Sequence, residues 1–183
     1  MNKETSLNNL LYIHEHLSCR NYLEKVENGF KYIEFEQDAV ILEKEIMWNH
    51  ILFVLEGECI INYNQFKNRK LQAESIILLP KMATMKVEVT AGTRLLSLSF
   101  GISLNLCDKF ALQSLTKLCD ELDYNFEPLK IHYPLQPFLE LVTHCLNQKM
   151  DCGHFHSLLQ QELFFLLRGF YKKEELALLF YPI

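Results

Sequence analysis

The spacing of apolar positions along the chain changes character near residue 105. Before that point short β-rich runs lie at Phe30–Glu36, Ala39–Ile46, His50–Leu55, Cys59–Tyr63, Ser75–Leu79, Ala83–Val89 and Arg94–Phe100. Short strands separated at this interval predict a sandwich or a barrel. The joints have turn chemistry: Glu56-Gly57-Glu58, the polar stretch Asn62–Asn68, and Ala91-Gly92-Thr93. Pro80 fits the end of a strand, because proline cannot donate to a central ladder.

After residue 105 the period becomes helical. Asp108 can cap a helix running to Leu122, and Pro134 can open another that reaches about Gln148. A third helix spans Phe155–Phe170, with Phe155, Leu158, Leu159, Leu163, Leu166, Leu167 and Phe170 on one broad face and Gln160, Gln161 and Arg168 opposite. A short fourth helix starts at Lys172 and carries Leu176, Leu178, Leu179, Phe180 and Tyr181 before Pro182 stops it. The expected organisation is an N-terminal arm over 1–25, a barrel over 26–105 and a helical region over 106–183. The apolar terminus Leu178-Leu179-Phe180-Tyr181-Pro182-Ile183 leads us to expect that the natural protein continues.

Composition narrows the class. With 49% hydrophobic and 22% charged residues, the chain has enough apolar material for a sizeable core, and disorder is excluded. A net charge of −5 opposes a phosphate-binding surface, which needs clustered Lys and Arg. The longest basic cluster, Lys67, Arg69 and Lys70, reads as a solvated turn. No run approaches the ~18 apolar residues of a membrane span and no signal segment opens the chain, so a cytoplasmic protein without a membrane partner is expected. Its six cysteines are then reduced and serve mainly as small apolar fillers.

The segment from His50 to Glu58, with Ser75-Ile76-Ile77-Leu78-Leu79-Pro80, resembles the cupin barrel. Metal-binding cupins bring three His and one Glu to a single metal. On that pattern, with Gly57 as the closing glycine, His50 occupies the Glu position. The paired His positions hold Lys44 and Ile46, or Glu43 and Glu45 in the longer spacing. In the second motif Pro80 matches, while Met82, Met85 and Val89 replace Gly, His and Asn. The resemblance thus implies a cupin-like double-stranded β-helix barrel without metal or other cofactor, and weighs against cupin enzyme chemistry.

The C-terminal half is similar to the helical region of AraC-family regulators. The residues are Leu129-Lys130-Ile131-His132 before a helix and the stretch from Phe155 through Tyr171 to Pro182. That family implies a barrel that senses a small molecule, helices that dimerise, and DNA contacted only through a C-terminal helix-turn-helix half. No recognition-helix segment follows Ile183. The expected function is therefore effector binding and dimerisation in a transcription regulator rather than catalysis, with a cupin isomerase or metal-dependent oxygenase as the alternative.

Strand alternation names the candidate site. Lys44, Ile46, His50, Leu52 and Met85 are expected to face the cavity, with Trp48 and Met82 near its mouth. A lysine and a histidine among apolar side chains suit a sugar or small organic acid. The competing reading is a filled barrel in which Lys44 snorkels and His50 is a satisfied core group. Phe155, Leu159, Leu163, Leu166, Phe170 and Leu179 are the expected homodimer interface. His14-Glu15-His16 reads as exposed, Glu56 and Glu58 as hairpin charges, and the Cys145, Cys152, His154, His156 cluster matches no common zinc spacing. No nucleophile elbow, Walker loop or dinucleotide fingerprint is present.

Overall fold

The computed structural model describes residues 28–43, 46–101, 115 and 122–183. Lys44, the arm with His14-Glu15-His16 and nearly all of the helix expected from Asp108 lie outside the described residues. Nine strands and three helices follow in order: β1 (Gly29–Glu34), β2 (Ala39–Glu43), β3 (Asn49–Glu56), β4 (Glu58–Tyr63), β5 (Phe66–Gln72), β6 (Ser75–Leu79), β7 (Met85–Val89), β8 (Arg94–Phe100), β9 (Leu129–Lys130), α1 (Leu135–Asn147), α2 (Gly153–Phe170) and α3 (Lys173–Phe180).

The strands form two antiparallel sheets, β1-β8-β3-β6-β9 and β2-β7-β4-β5. Apart from the short β9, each sheet takes four strands, and successive pairs fold across from one sheet to the other. This is the strand order of the double-stranded β-helix, and the fold is a cupin-like barrel followed by helices.

Alternation along β3 shows how the barrel is positioned. Leu52 and Val54 point into the barrel with Cys59, Ile61, Leu71, Ile77, Met85, Val87 and Leu95. Ile51 and Phe53 point the other way, into a second core built with Phe138 and Val142 of α1, Leu163 and Phe164 of α2 and Phe180 of α3. Helix face and sheet face match because the apolar positions of α1, Leu135, Phe138, Leu139 and Val142, recur at helical spacing on one side. The other sheet alternates instead, with Cys59, Ile61 and Tyr63 buried and Ile60 and Asn62 partly exposed.

Three expectations are corrected. The basic cluster of Lys67, Arg69 and Lys70 is a strand rather than a turn, and only Asn64 and Gln65 make the turn before it. β5 tolerates these cations because it is an edge strand: Lys70 pairs with Glu58, and Arg69 with Glu127. β9, well past residue 105, returns to the barrel by pairing with β6 through Ser75↔Lys130 and Ile76↔Leu129. Leu159, Leu163 and Leu179, expected at a dimer interface, are buried at 5%, 0% and 5% exposure in the chain's own second core, because the helix-facing sheet occupies that face.

The helices are clasped to the sheet by polar contacts. The backbone N–H of Phe30 donates to His156 Nδ1 at 3.1 Å, and His156 Nε2 meets the Asp151 carboxylate. With Nδ1 accepting, the ring carries its proton on Nε2 and donates to Asp151. The Tyr171 hydroxyl donates to the Lys130 carbonyl at 2.8 Å and accepts from the His132 N–H at 3.1 Å. Gly29 is required at the first clasp: its φ is +150°, and a Cβ there would sit 2.6 Å from His156 Cγ. Gly29→Ala is expected to cost about 1–3 kcal/mol, the usual range for overpacking. Urea denaturation checks it, and an unchanged midpoint would show that β1 and α2 are not in this close contact.

Candidate functional site

Two short connections define one end of the barrel, residues 46–48 between the sheets and residues 80–84 leading into β7. They are tied together by Met82 N–H donating to the Ile46 carbonyl at 2.7 Å and Ile46 N–H to the Ala83 carbonyl at 3.3 Å. Asn49 holds the second connection by accepting the Lys81 N–H on its Oδ1 at 2.8 Å. The cross-strand register places His50 of β3 beside Ser99 of β8 and Leu79 of β6.

His50 is half-buried, and its Nδ1 lies 3.2 Å from Ser99 Oγ. Ile46, Leu52 and Met85 are buried in the barrel core, and the half-buried Trp48 ring lies beside Gly101. Of the seven expected site residues, Ile46, Leu52 and Met85 share the barrel core, and alternation puts His50 on the same face of β3 as Leu52. Met82 is at the same end but is 65% exposed, with a positive φ of 63° that turns its side chain out to solvent. Lys44 lies outside the described residues. Ser99 was missed by sequence reasoning, although the alternation Arg94–Phe100 places Ser97 and Ser99 on the face shared with His50.

Beyond this polar end the interior is filled by apolar side chains. Phe126 enters the barrel core, where its ring centroid lies 4.9 Å from that of Tyr63 and 5.4 Å from that of Phe66. The far end is closed by the fully buried Thr93, whose hydroxyl donates to the Glu58 carbonyl at 3.0 Å and lies 3.2 Å from Thr90 Oγ1. Gly57 lets that hairpin approach: at φ +76°, its Cβ would meet Thr93 Cα at 2.8 Å. The mouth end therefore combines one imidazole and one hydroxyl with a wall of aliphatic, thioether and indole surface.

Among the described residues no group of three or more His, Cys, Asp or Glu is placed to hold a metal ion. The Cys145, Cys152, His154, His156 cluster is dispersed: His156 is committed to the β1 clasp, Cys152 is buried at the N-terminus of α2, and His154 is exposed. Glu56 and Glu58 are paired with Arg94 and Lys70. A separate cleft of about 380 Å³ lies between α1 and the outer face of the helix-facing sheet, lined in part by Tyr32, Glu56, Arg94 and Glu140. None of the expected site residues lines it.

Among solved structures, ToxT matches most of the chain. Apo ToxT from Vibrio cholerae strain SCE256 matches with a TM-score of 0.54 and 10% identity over 85% of this chain. The chain spans 58% of the length of ToxT. Smaller stretches match a cupin superfamily protein from Desulfitobacterium hafniense DCB-2 (TM-score 0.33, 16% identity, 43% of this chain and 84% of that one). A cupin-2 domain containing protein from Shewanella frigidimarina NCIMB 400 matches similarly (TM-score 0.33, 19% identity, 42% and 72%). No protein-family model and no curated protein sequence matches the chain. At these identities the likeness concerns the fold.

Two outcomes test the electrostatics. Burial, then the neighbouring Glu58 charge, pushes the Cys59 thiol up to about 12. Peptide mapping after iodoacetamide at pH 8 is expected to leave Cys59 unmodified in the folded protein, and rapid labelling would contradict its place in the barrel core. The hydrogen bond from Arg94 holds the Glu56 carboxyl below its usual range. A depressed carboxylate stabilises the fold above its unfolded pKa and loses that contribution as pH falls through the folded value. Carboxyl NMR is expected to show a low Glu56 midpoint that returns to the ordinary range in Arg94→Gln.

Proposed function

We propose that this chain is the effector-binding and dimerising module of an AraC-type transcription regulator, cytoplasmic, with a metal-free barrel whose mouth holds a sugar or small organic acid. The observation that carries the reading is the likeness in fold to ToxT, an AraC-family regulator, over 85% of this chain, more than the barrel alone. A fold match confined to the barrel would suit any cupin, enzyme or not. The same sensor-and-helix order is implied by the resemblance of residues 129–132 and 155–182 to that family.

In this reading His50 and Ser99 orient the polar part of the effector, and Trp48 and Met85 supply contact area. Lys44, two positions before Ile46 in the sequence, would add a cation for an acidic effector. Dimerisation uses the outward side of α2, where Leu158, Phe165 and Phe170 are 63%, 53% and 56% exposed, rather than the buried Leu159 and Leu163. Phe155 and Leu166 are half-buried at the edge of the second core and can contribute at its margin. DNA is engaged by a helix-turn-helix half, whose pairing the effector biases only if it binds one dimer arrangement better than another.

Native mass spectrometry combined with a thermal-shift screen of sugars and organic acids, with and without divalent metals, tests this directly. The expected result is a metal-free dimer stabilised by one compound class, with His50→Ala lowering affinity at least tenfold and Phe165→Glu giving a folded monomer. A stoichiometric bound metal would overturn the reading in favour of a cupin enzyme.

A further inference from the structure

The cleft between α1 and the helix-facing sheet is lined by polar side chains of the helix. Gln136, Glu140, Thr143, His144 and Asn147 all line it, at helical spacings of four, seven, eight and eleven from the first. They form one stripe directly beside the buried stripe of Leu135, Phe138, Leu139 and Val142. Gln136, Glu140, His144 and Asn147 are exposed and Thr143 is half-buried, and the stripe borders a solvent-open cleft of about 380 Å³ whose other wall carries Tyr32, Glu56, Glu74 and Arg94 of the chain's own sheet.

Part of that stripe lacks a partner. Thr143 Oγ1 is buried and makes no hydrogen bond, whereas buried hydroxyls are as a rule satisfied by protein or by a bound molecule. Among the described residues Glu140 has no ion-pair partner, unlike the other two carboxylates of the cleft. Glu56 is bound by Arg94, whose Nε donates to it at 2.8 Å, and Glu74 lies 3.8 Å from Lys130.

Charge and surface then select the ligand class. Arg94, the guanidinium of the lining, is already neutralised by Glu56, so an incoming anion would meet Glu74 and Glu140 with the imidazole of His144 as the remaining basic group among the described lining residues. An incoming cation finds the uncompensated Glu140, with Thr143 Oγ1 free to accept one of its N–H groups. Leu55, Ile131 and Leu139 provide apolar lining for a short hydrocarbon body. We propose that this cleft is a binding site for a small amphiphilic organic cation, an ammonium or guanidinium group on a short hydrocarbon chain. Because none of the barrel-mouth residues lines it, this site stands or falls separately from the effector site proposed above.

The test uses the whole chain and three probes of one shape: hexylammonium chloride, hexanol and sodium hexanoate, followed by thermal shift and isothermal titration calorimetry. Hexylammonium alone is expected to raise the melting temperature and to bind at one site per chain. Glu140→Gln is expected to weaken that binding at least tenfold and Thr143→Val severalfold. Glu36→Gln, which removes the same charge from an exposed loop, is expected to leave it unchanged. Equal responses to all three probes, a preference for hexanoate, or undiminished binding in Glu140→Gln would overturn the proposal. So would stabilisation by methyl glucoside with none by hexylammonium, which would make the cleft a polyol site.

Discussion

Everything in this fold depends on one sheet being buried on both faces. β6, Ser-Ile-Ile-Leu-Leu, is buried at every position, because alternate residues serve the barrel and the helix layer in turn. β3 follows the same logic through Ile51 to Val54. Burying one such side chain fully is worth about 1.5–3 kcal/mol, so the doubly covered sheet concentrates much of the stabilisation in a few strands. The other sheet has a single core face, and its outward side carries Lys86 and Glu88 paired with one another. The three described helices therefore pack on one side, and the connections at residues 46–48 and 80–84 lie at one end of the barrel.

This asymmetry separates two places where a small molecule could matter. The His50–Ser99 pair lies inside the barrel near one end, whereas the α1 cleft lies outside it near the other, beside Glu56 and Arg94 at the start of the β3–β4 hairpin. Both touch the same sheet, on opposite faces. A ligand at either place would press on β3 or β8, whose side chains also seat α1 and α2. No long-range wire is needed for helices to respond to the barrel, because a single strand is shared by the two cores.

Much of the barrel was legible from period-two patterns, since strands such as Met85–Val89 alternate buried and exposed residues cleanly. β5 was not, because Phe66-Lys67-Asn68-Arg69-Lys70-Leu71-Gln72 buries only Leu71 fully and shows its cations to solvent, which from sequence alone looks like a loop. The helices were legible as helices, but which apolar residues faced inward was not. Leu158 and Leu159 read alike, and only the position of the sheet decides that one is exposed and the other buried. The α1 cleft was invisible, because its two walls, residues 136–147 and strands holding Tyr32, Glu56 and Arg94, lie far apart in sequence. Sequence periodicity reports how a face is composed, and it takes tertiary structure to say what the face looks at.

The pairing of β1 with β8 has a consequence for the order in which the molecule assembles. Gly29 lies opposite Ser99 and Glu34 opposite Arg94, so the first described strand must wait for a segment some 60–70 residues later. β2 waits in the same way for β7, and Phe126 reaches the barrel core later still. Contacts so distant along the chain fold slowly, because loop-closure entropy is lost before they form. On a ribosome, the β3–β6 strands can emerge and meet while β1 remains unpaired, its apolar Phe30 and Tyr32 still open to water. The three described helices emerge after the strands, and until they dock, the outward face of β3 with Ile51 and Phe53 is an exposed sticky surface. Synthesis thus passes through a stage in which the barrel can close while its outer wall is still bare, and the speed of helix arrival sets how long the nascent protein is open to aggregation.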